Sequence, residues 1–227
     1  MSVDNHRATI SEDALVLDAH IEGRTMKKAR VIVTLECNRH CGYCCNTPAM
    51  LAQATKMQSW DELADDDEIM ITGGEPSLLT PREFYKILGQ IHRVRKPSAR
   101  VYLYTALYVP WLPLEALDGI QYTLHTTSSI IDVAAVKDLE NRFVGLSKDF
   151  SSRLRIVKGL QYQVHITPPL WSSVKLQEWI PDCPLPRDER LLLAPGVEKR
   201  TKSEVSGLRT RECRVLIRTK SENRRIC

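Results

Sequence analysis

No run of eighteen apolar residues occurs anywhere in the 227-residue chain, so a membrane-spanning helix is not expected. The first residues, MSVDNHRATISEDALVLDAHIEGR, lack the apolar core of a secretory signal. That absence points to the cytoplasm, where thiols stay reduced. Internal repeats and low-complexity tracts are missing as well. The seven cysteines are odd in number, which argues against a disulfide framework. Cys183, Cys213 and Cys227 stand apart and form no second Cys-x2-Cys pair. Charge of one sign is also scarce, with a net of only +4. It is unevenly placed: residues 187–227 hold twelve Lys or Arg against six Asp or Glu, leaving −2 for the first 186 residues. Such a basic segment suits an anionic ligand, a nucleic acid or a solvated tail.

What remains is an ordinary globular composition, 43% hydrophobic and 26% charged, at a length suited to one α/β domain with a substantial core. Compact β-branched or aromatic runs predict strands at Ala29–Leu35, Asp67–Thr72, Ala99–Thr105 and Gly119–His125, and a short apolar run predicts another at Arg190–Pro195. Leu154–Thr167 reads as one strand or a hairpin, and Cys213–Lys220 as an edge strand. Helical spacing covers Pro48–Ala64, Thr80–Val94, Leu112–Leu117, Ser129–Leu146 and Ser172–Ile180. The second of these is the best defined. Thr80 can cap it, Pro81 suits its first turn, and Phe84, Ile87, Leu88 and Ile91 share one face. Strand and helix alternate about six times, which calls for a parallel sheet with crossover connections. In such sheets ligands bind at the C-terminal strand ends. The chemically loaded residues fall at that end of four successive strands: the cysteines, Gly73-Gly74-Glu75, Thr105, and Thr123 with His125.

The cysteines are crowded into "TLECNRHCGYCCN", Thr34 to Asn46. Cys37, Cys41 and Cys44 follow a Cys-x3-Cys-x2-Cys spacing, with Cys45 next to the last. Thiolates select zinc or iron–sulfur clusters. Structural zinc closes with four protein ligands, and a cubane cluster usually takes four cysteines. Three ligands leave one position open, the mark of a reactive centre. Cys45 is a candidate fourth ligand, but neighbouring side chains point apart, so it reads as a buried or adjacent thiol. The glycine pair lets a ligand approach the main chain closely, or simply makes a tight strand-to-helix turn.

"CNRHCGYCCN" followed by "TGGEP" resembles the radical S-adenosylmethionine superfamily, whose signature Cys-x3-Cys-x-aromatic-Cys is met by Cys37, Cys41, Tyr43 and Cys44. "YCCN" is similar to the "YCHN" of glycyl-radical activating enzymes, and the length is close to theirs and to that of 7-carboxy-7-deazaguanine synthases. In the latter a threonine follows the last cluster cysteine by two; here Thr47 follows Cys44 by three. The resemblance covers about Ala29 to Thr126. It implies an α/β fold, a partial (β/α)6 TIM-like barrel over residues 29–195, with an N-terminal extension (1–28) and a basic C-terminal extension (196–227). It further implies that Cys37, Cys41 and Cys44 hold a [4Fe–4S] cluster whose fourth iron chelates S-adenosylmethionine. Tyr43 would lie near the adenine, Gly73, Gly74 and Glu75 would receive the methionyl amino group, and Thr105 and Thr123 would touch ribose or carboxylate. A later Gly-x-Ile-x-Gly-x-x-Glu-like motif is not recognisable.

The implied reaction is reductive cleavage of S-adenosylmethionine to a 5′-deoxyadenosyl radical that abstracts hydrogen from substrate. The implied partners are a one-electron reductant such as flavodoxin or ferredoxin and an anionic metabolite or nucleotide. Homodimer formation is allowed, and no membrane is involved. A protein or nucleic-acid substrate is the alternative. A non-catalytic zinc module binding nucleic acid is the reading from another class. No catalytic residue is assigned. His125 and His165 stand near strand ends as acid–base or core histidines, while Trp111 and Trp171 read as cover for the barrel.

Overall fold

The computed structural model describes residues 25–39, 41, 44, 46–178, 185 and 188–198. Nearly all of both extensions, the Cys213–Lys220 strand, Cys183, His40, Tyr43 and Cys45 lie outside the described residues.

Eight strands pair in register, every pair parallel. They are β1 (Lys28–Ile32), β2 (Thr55–Lys56), β3 (Glu68–Thr72), β4 (Arg100–Thr105), β5 (Gly119–Leu124), β6 (Ser151–Val157), β7 (Ser173–Gln177) and β8 (Glu189–Leu193). Their order is β2-β8-β1-β3-β4-β5-β6-β7. Six of them, β1 and β3 through β7, therefore stand in chain order as the expected partial barrel. β8 and β2 extend the sheet beyond β1, and the sheet stays open. No helix among the described residues is long and apolar enough to cross a membrane.

The two-residue period of the strands sorts their side chains onto two faces. Val31, Ile71, Leu103, Ile120 and Leu154 enter one core. There they meet Phe84, Leu88 and Ile91 of helix α2 (Pro81–Val94) and Val136, Leu139 and Phe143 of helix α3 (Ile130–Phe143). Each such side chain contributes about 1.5–3 kcal/mol by burial. The other face is unusual for a parallel sheet, which is normally apolar on both sides. It carries Arg30, Thr72, Tyr104, Gln121, Thr123 and Arg155, and these line a cavity. α2 starts as its sequence demands: Thr80 and Glu83 form a reciprocal capping box with Pro81 in the first turn.

Three expected helices are not formed as read; of Leu112–Leu117 only Leu114–Ala116 coils, as a 3-10 turn. Pro48–Ala64 is helical only over α1 (Pro48–Gln53). Thr55 and Lys56 then pair with β8, and a 3-10 turn begins at Trp60 behind its own Ser59–Glu62 capping box. Ser172–Ile180 contains strand β7 in place of a helix. Ser-Val-Lys-Leu-Gln alternates with period two, and pairing with β6 overrides the weak helical spacing. Leu154–Thr167 forms β6 and 3-10 turns, without a hairpin.

The connection between β6 and β7 hangs on one carboxylate. Glu140 of α3 is 1% exposed. It accepts from the Thr167 N–H (2.6 Å), the Thr167 hydroxyl (2.8 Å) and the Trp171 indole N–H (2.9 Å). Burial raises the carboxyl's pKa, but these donors outweigh burial and hold it below the ordinary range. Trp171 also stacks edge-on against Phe143, with centroids 5.0 Å apart, so it covers the core as expected. Replacing Glu140 by Ala strands these donors and should cost about 2–4 kcal/mol, read as a lower urea midpoint at unchanged slope. An unchanged midpoint would show that the loop does not depend on this carboxylate.

Candidate functional site

The site begins where β1 and β3 end. Their ladder continues past the strands: the N–H groups of Val33, Gly74 and Glu75 donate to the carbonyls of Thr72 (2.9 Å), Thr34 (2.8 Å) and Glu36 (2.7 Å). The two segments lie so close that a Cβ on Gly73 would sit 2.4 Å from the Thr34 carbonyl oxygen, and one on Gly74 2.1 Å from that of Glu36. Gly73 also adopts φ +157°. The glycine pair is thus occupied by the chain's own backbone, which binds the GGE segment to the entrance of the cysteine loop. Asn46, beyond that loop, donates its side-chain amide to the Gly73 carbonyl at 2.5 Å.

Arg39, inside the cysteine loop, is the residue the sequence did not single out. It is almost fully buried and pairs at 2.6 Å with Asp132, a buried residue in the first turn of α3. It also donates to the carbonyls of Ala106 (2.6 Å) and Thr127 (3.3 Å). One guanidinium therefore ties the loop after β1 to the segments after β4 and β5. Burial disfavours both charges, yet the pair holds Arg39 above and Asp132 below its ordinary pKa. The only prior signal was a charged residue between two candidate ligands.

Cys37, Cys41 and Cys44 are free thiols and line one cavity. Cys37 accepts from the Arg39 N–H at 3.4 Å, and Cys41 lies 3.5 Å from the Thr127 hydroxyl. Among the described residues no three His, Cys, Asp or Glu side chains are gathered at metal-binding geometry. The donor chemistry still fits a thiophilic centre: three soft sulfurs on one short loop face one space. Burial pushes the Cys37 thiol up; the Arg39 N–H opposes this, while Glu75 and the other two cysteines add to it. Metal binding would have to displace that proton.

Glu75 is 2% exposed. Its carboxylate accepts from the Ser77 N–H (3.0 Å), the Thr105 hydroxyl (2.5 Å) and the Ala106 N–H (2.8 Å). Burial raises its pKa, with these donors pulling against it. Thr105 is buried in the same network, within 2.8 Å of the Ser77 hydroxyl. Glu75 and Thr105 thus brace the tips of β3 and β4, and both line the cavity. Thr123 and His125 line it too, from β5 and just beyond. Burial first, and the Arg39 charge second, lower the His125 pKa to about 4, so its imidazole is neutral near pH 7. His165 is exposed and away from the cavity.

The cavity, about 410 Å³, thus joins the three cysteines, Gly73, Gly74, Glu75, Thr105 and Thr123. Tyr43 lies outside the described residues.

No protein-family model matches the chain, and no curated protein matches it. Among solved structures it is similar to SuiB of Streptococcus suis bound to S-adenosylmethionine, at 14% identity and a TM-score of 0.45. That alignment covers 76% of this chain and 48% of the other, so the chain spans about half the length of that protein. A likeness this distant carries no functional weight.

Two measurements probe the geometry. Gly74→Ala forces a Cβ into the Glu36 carbonyl and should destabilise by about 1–3 kcal/mol or more; a neutral effect on urea unfolding would contradict the clamp. His125 has a lowered folded pKa, so the unfolded chain takes up its proton first. Stability should therefore fall as pH drops from about 6.5 towards about 4, and His125→Gln should flatten that part of the pH profile. Parallel profiles for the two proteins would remove His125 from the pH response.

Proposed function

We propose that the chain is a radical S-adenosylmethionine enzyme acting on an anionic substrate. One observation carries the reading: the Cys-x3-Cys-x2-Cys thiols and the Gly73-Gly74-Glu75 segment line one cavity at the C-terminal ends of adjacent parallel strands. That juxtaposition joins two motifs separated by some thirty residues in the sequence, and it supports the roles the resemblance implies.

In this reading Cys37, Cys41 and Cys44 hold a [4Fe–4S] cluster. Such a cluster would supply S-adenosylmethionine with an electron drawn from an external reductant, breaking its S–C5′ bond with release of methionine to give the hydrogen-abstracting 5′-deoxyadenosyl radical. The chain's part is positioning and exclusion of water. Arg39 holds the thiol loop against α3. Glu75 retains lone pairs for a methionyl ammonium beyond its three internal donors. Thr123 offers a hydroxyl to the cofactor's ribose or carboxylate, and Tyr43 an aromatic face to its adenine. His125, neutral at its lowered pKa, can accept a hydrogen bond from substrate. The reductant is a flavodoxin- or ferredoxin-like donor in the cytoplasm.

Anaerobically reconstituted protein should be brown, with broad absorbance near about 400 nm, and should release 5′-deoxyadenosine when reduced with S-adenosylmethionine. Alanine at Cys37, Cys41 or Cys44 should abolish iron incorporation, whereas Cys45→Ala should spare it. A colourless zinc protein, or full iron content in Cys41→Ala, would overturn the assignment.

A further inference from the structure

The cavity wall contains a guanidinium that no described side chain engages by hydrogen bond or ion pair. The wall's acidic and basic members can be taken in turn. Arg39 is matched by Asp132. Glu75 accepts from neutral donors of its own chain, and the proposed function gives its remaining lone pairs to the methionyl ammonium. Glu178 pairs with Lys158. Arg30 meets Glu189 at 2.5 Å, but the contact is poorly aligned: the buried Arg30 Nε and Glu189 Oε2 have no hydrogen-bond partner. Arg155 remains. Its side chain lines the cavity and has neither a hydrogen bond nor an ion pair with any described residue.

Its neighbours are an aromatic ring, further arginines and an amide. Tyr104 lies beneath Arg30, 5.7 Å from guanidinium carbon to ring centroid. Its hydroxyl, whose pKa burial raises most, also feels Arg153, Arg30 and Arg155 as positive charges and Glu189 as the opposing one. Arg153 is turned away to its own partners, the Ser151 hydroxyl at 3.0 Å and the Tyr102 ring at 4.7 Å. Gly119 makes room there, since a Cβ would lie 2.8 Å from that ring. Gln121, buried on the same wall, adds an amide to the cavity lining. Thr123 is the cross-strand partner of Arg155 on one side, and Lys175 is its partner on the other. A guanidinium on a concave, partly dry wall offers a planar fork of donors suited to a carboxylate or phosphate.

We propose that the inner face of the sheet holds an oxyanion subsite in which Arg155, with the Gln121 amide on the neighbouring strand, receives a carboxylate or phosphate group of the substrate. The subsite lies on the barrel wall, within the same cavity as the cysteines, and does not require the basic C-terminal segment. Calling its ligand a substrate rests on the proposed function; the anion binding itself does not.

The test uses the full chain and thermal unfolding at matched ionic strength, titrated with inorganic phosphate, with malonate, and with chloride as reference. A ligand that binds only the folded state raises the unfolding temperature. Phosphate or malonate should do so beyond chloride, and whichever is the stronger identifies the group recognised. Arg155→Gln should weaken that affinity at least tenfold, and Arg155→Lys less, since it keeps the charge but loses the fork. Gln121→Glu should supply an internal counter-ion, raising the melting temperature in chloride while abolishing the anion response. A tail control, Arg224→Gln with Arg225→Gln, should respond as wild type does.

Equal responses in wild type and Arg155→Gln would overturn the subsite, as would no response in wild type or a response lost only in the tail variant. A loss of S-adenosylmethionine affinity in Arg155→Gln as large as the loss for malonate would assign the guanidinium to the cofactor and also overturn it. Iron content and 5′-deoxyadenosine formation report separately on the proposed function, so either reading can fail while the other stands.

Discussion

Two stretches of backbone pressed together govern this molecule. The segment leaving β3 donates from Gly74 and Glu75 to Thr34 and Glu36 in the segment leaving β1, with no room for a Cβ at Gly73 or Gly74. Because the ladder runs past the strand ends, the cysteine loop and Glu75 cannot move independently. Glu75 in turn binds the tip of β4 through Thr105 and Ala106, and Arg39 carries the connection on to α3. Four strand ends are thereby drawn around one cavity by main-chain contacts, one carboxylate and one guanidinium.

The polar inner face follows from keeping the sheet open around that cavity. A doubly buried parallel strand has little use for Arg30, Gln121 or Arg155. Here α2 and α3 cover one face, α1 packs against Ile32, Leu191 and Leu193 at one edge of the other, and the rest of that face lines the cavity. Breaking the Arg39–Asp132 pair would leave a buried charge, at a cost of about 3–5 kcal/mol. Such a pair is a poor source of net stability, and its value lies in fixing where the thiol loop sits. The same wall supplies both fixed scaffolding charges and, at Arg155, a charge free to recognise something else.

Much of this was legible beforehand. β-branched runs mark β1, β3, β4 and β5 well, because burial and strand propensity agree there. Thr80, Pro81 and the apolar stripe of α2 agree in the same way. The failures came where local signals were short. At Ser59 a capping box announced a new turn inside what looked like one helix. At Ser173–Gln177 a five-residue alternation was outweighed by apolar spacing over a longer window, and only its pairing with β6 decides it. The cysteine and glycine motifs were visible as motifs, but their physical relation was not. The glycines could be read as admitting a ligand or turning the chain; that they also admit the backbone of residues 34–36 while lining the cavity needed the structure. Arg39 could not be recognised at all, since its meaning depends on Asp132, 93 positions away.

The central claim is that three thiols hold a cluster with one coordination site open to S-adenosylmethionine. Electron paramagnetic resonance of the reduced, reconstituted protein tests this most directly. The account predicts a [4Fe–4S] signal whose shape changes when S-adenosylmethionine is added and stays put when adenosine alone is added at the same concentration. A signal indifferent to S-adenosylmethionine at saturating concentration would mean that the fourth position is closed, and would contradict the account.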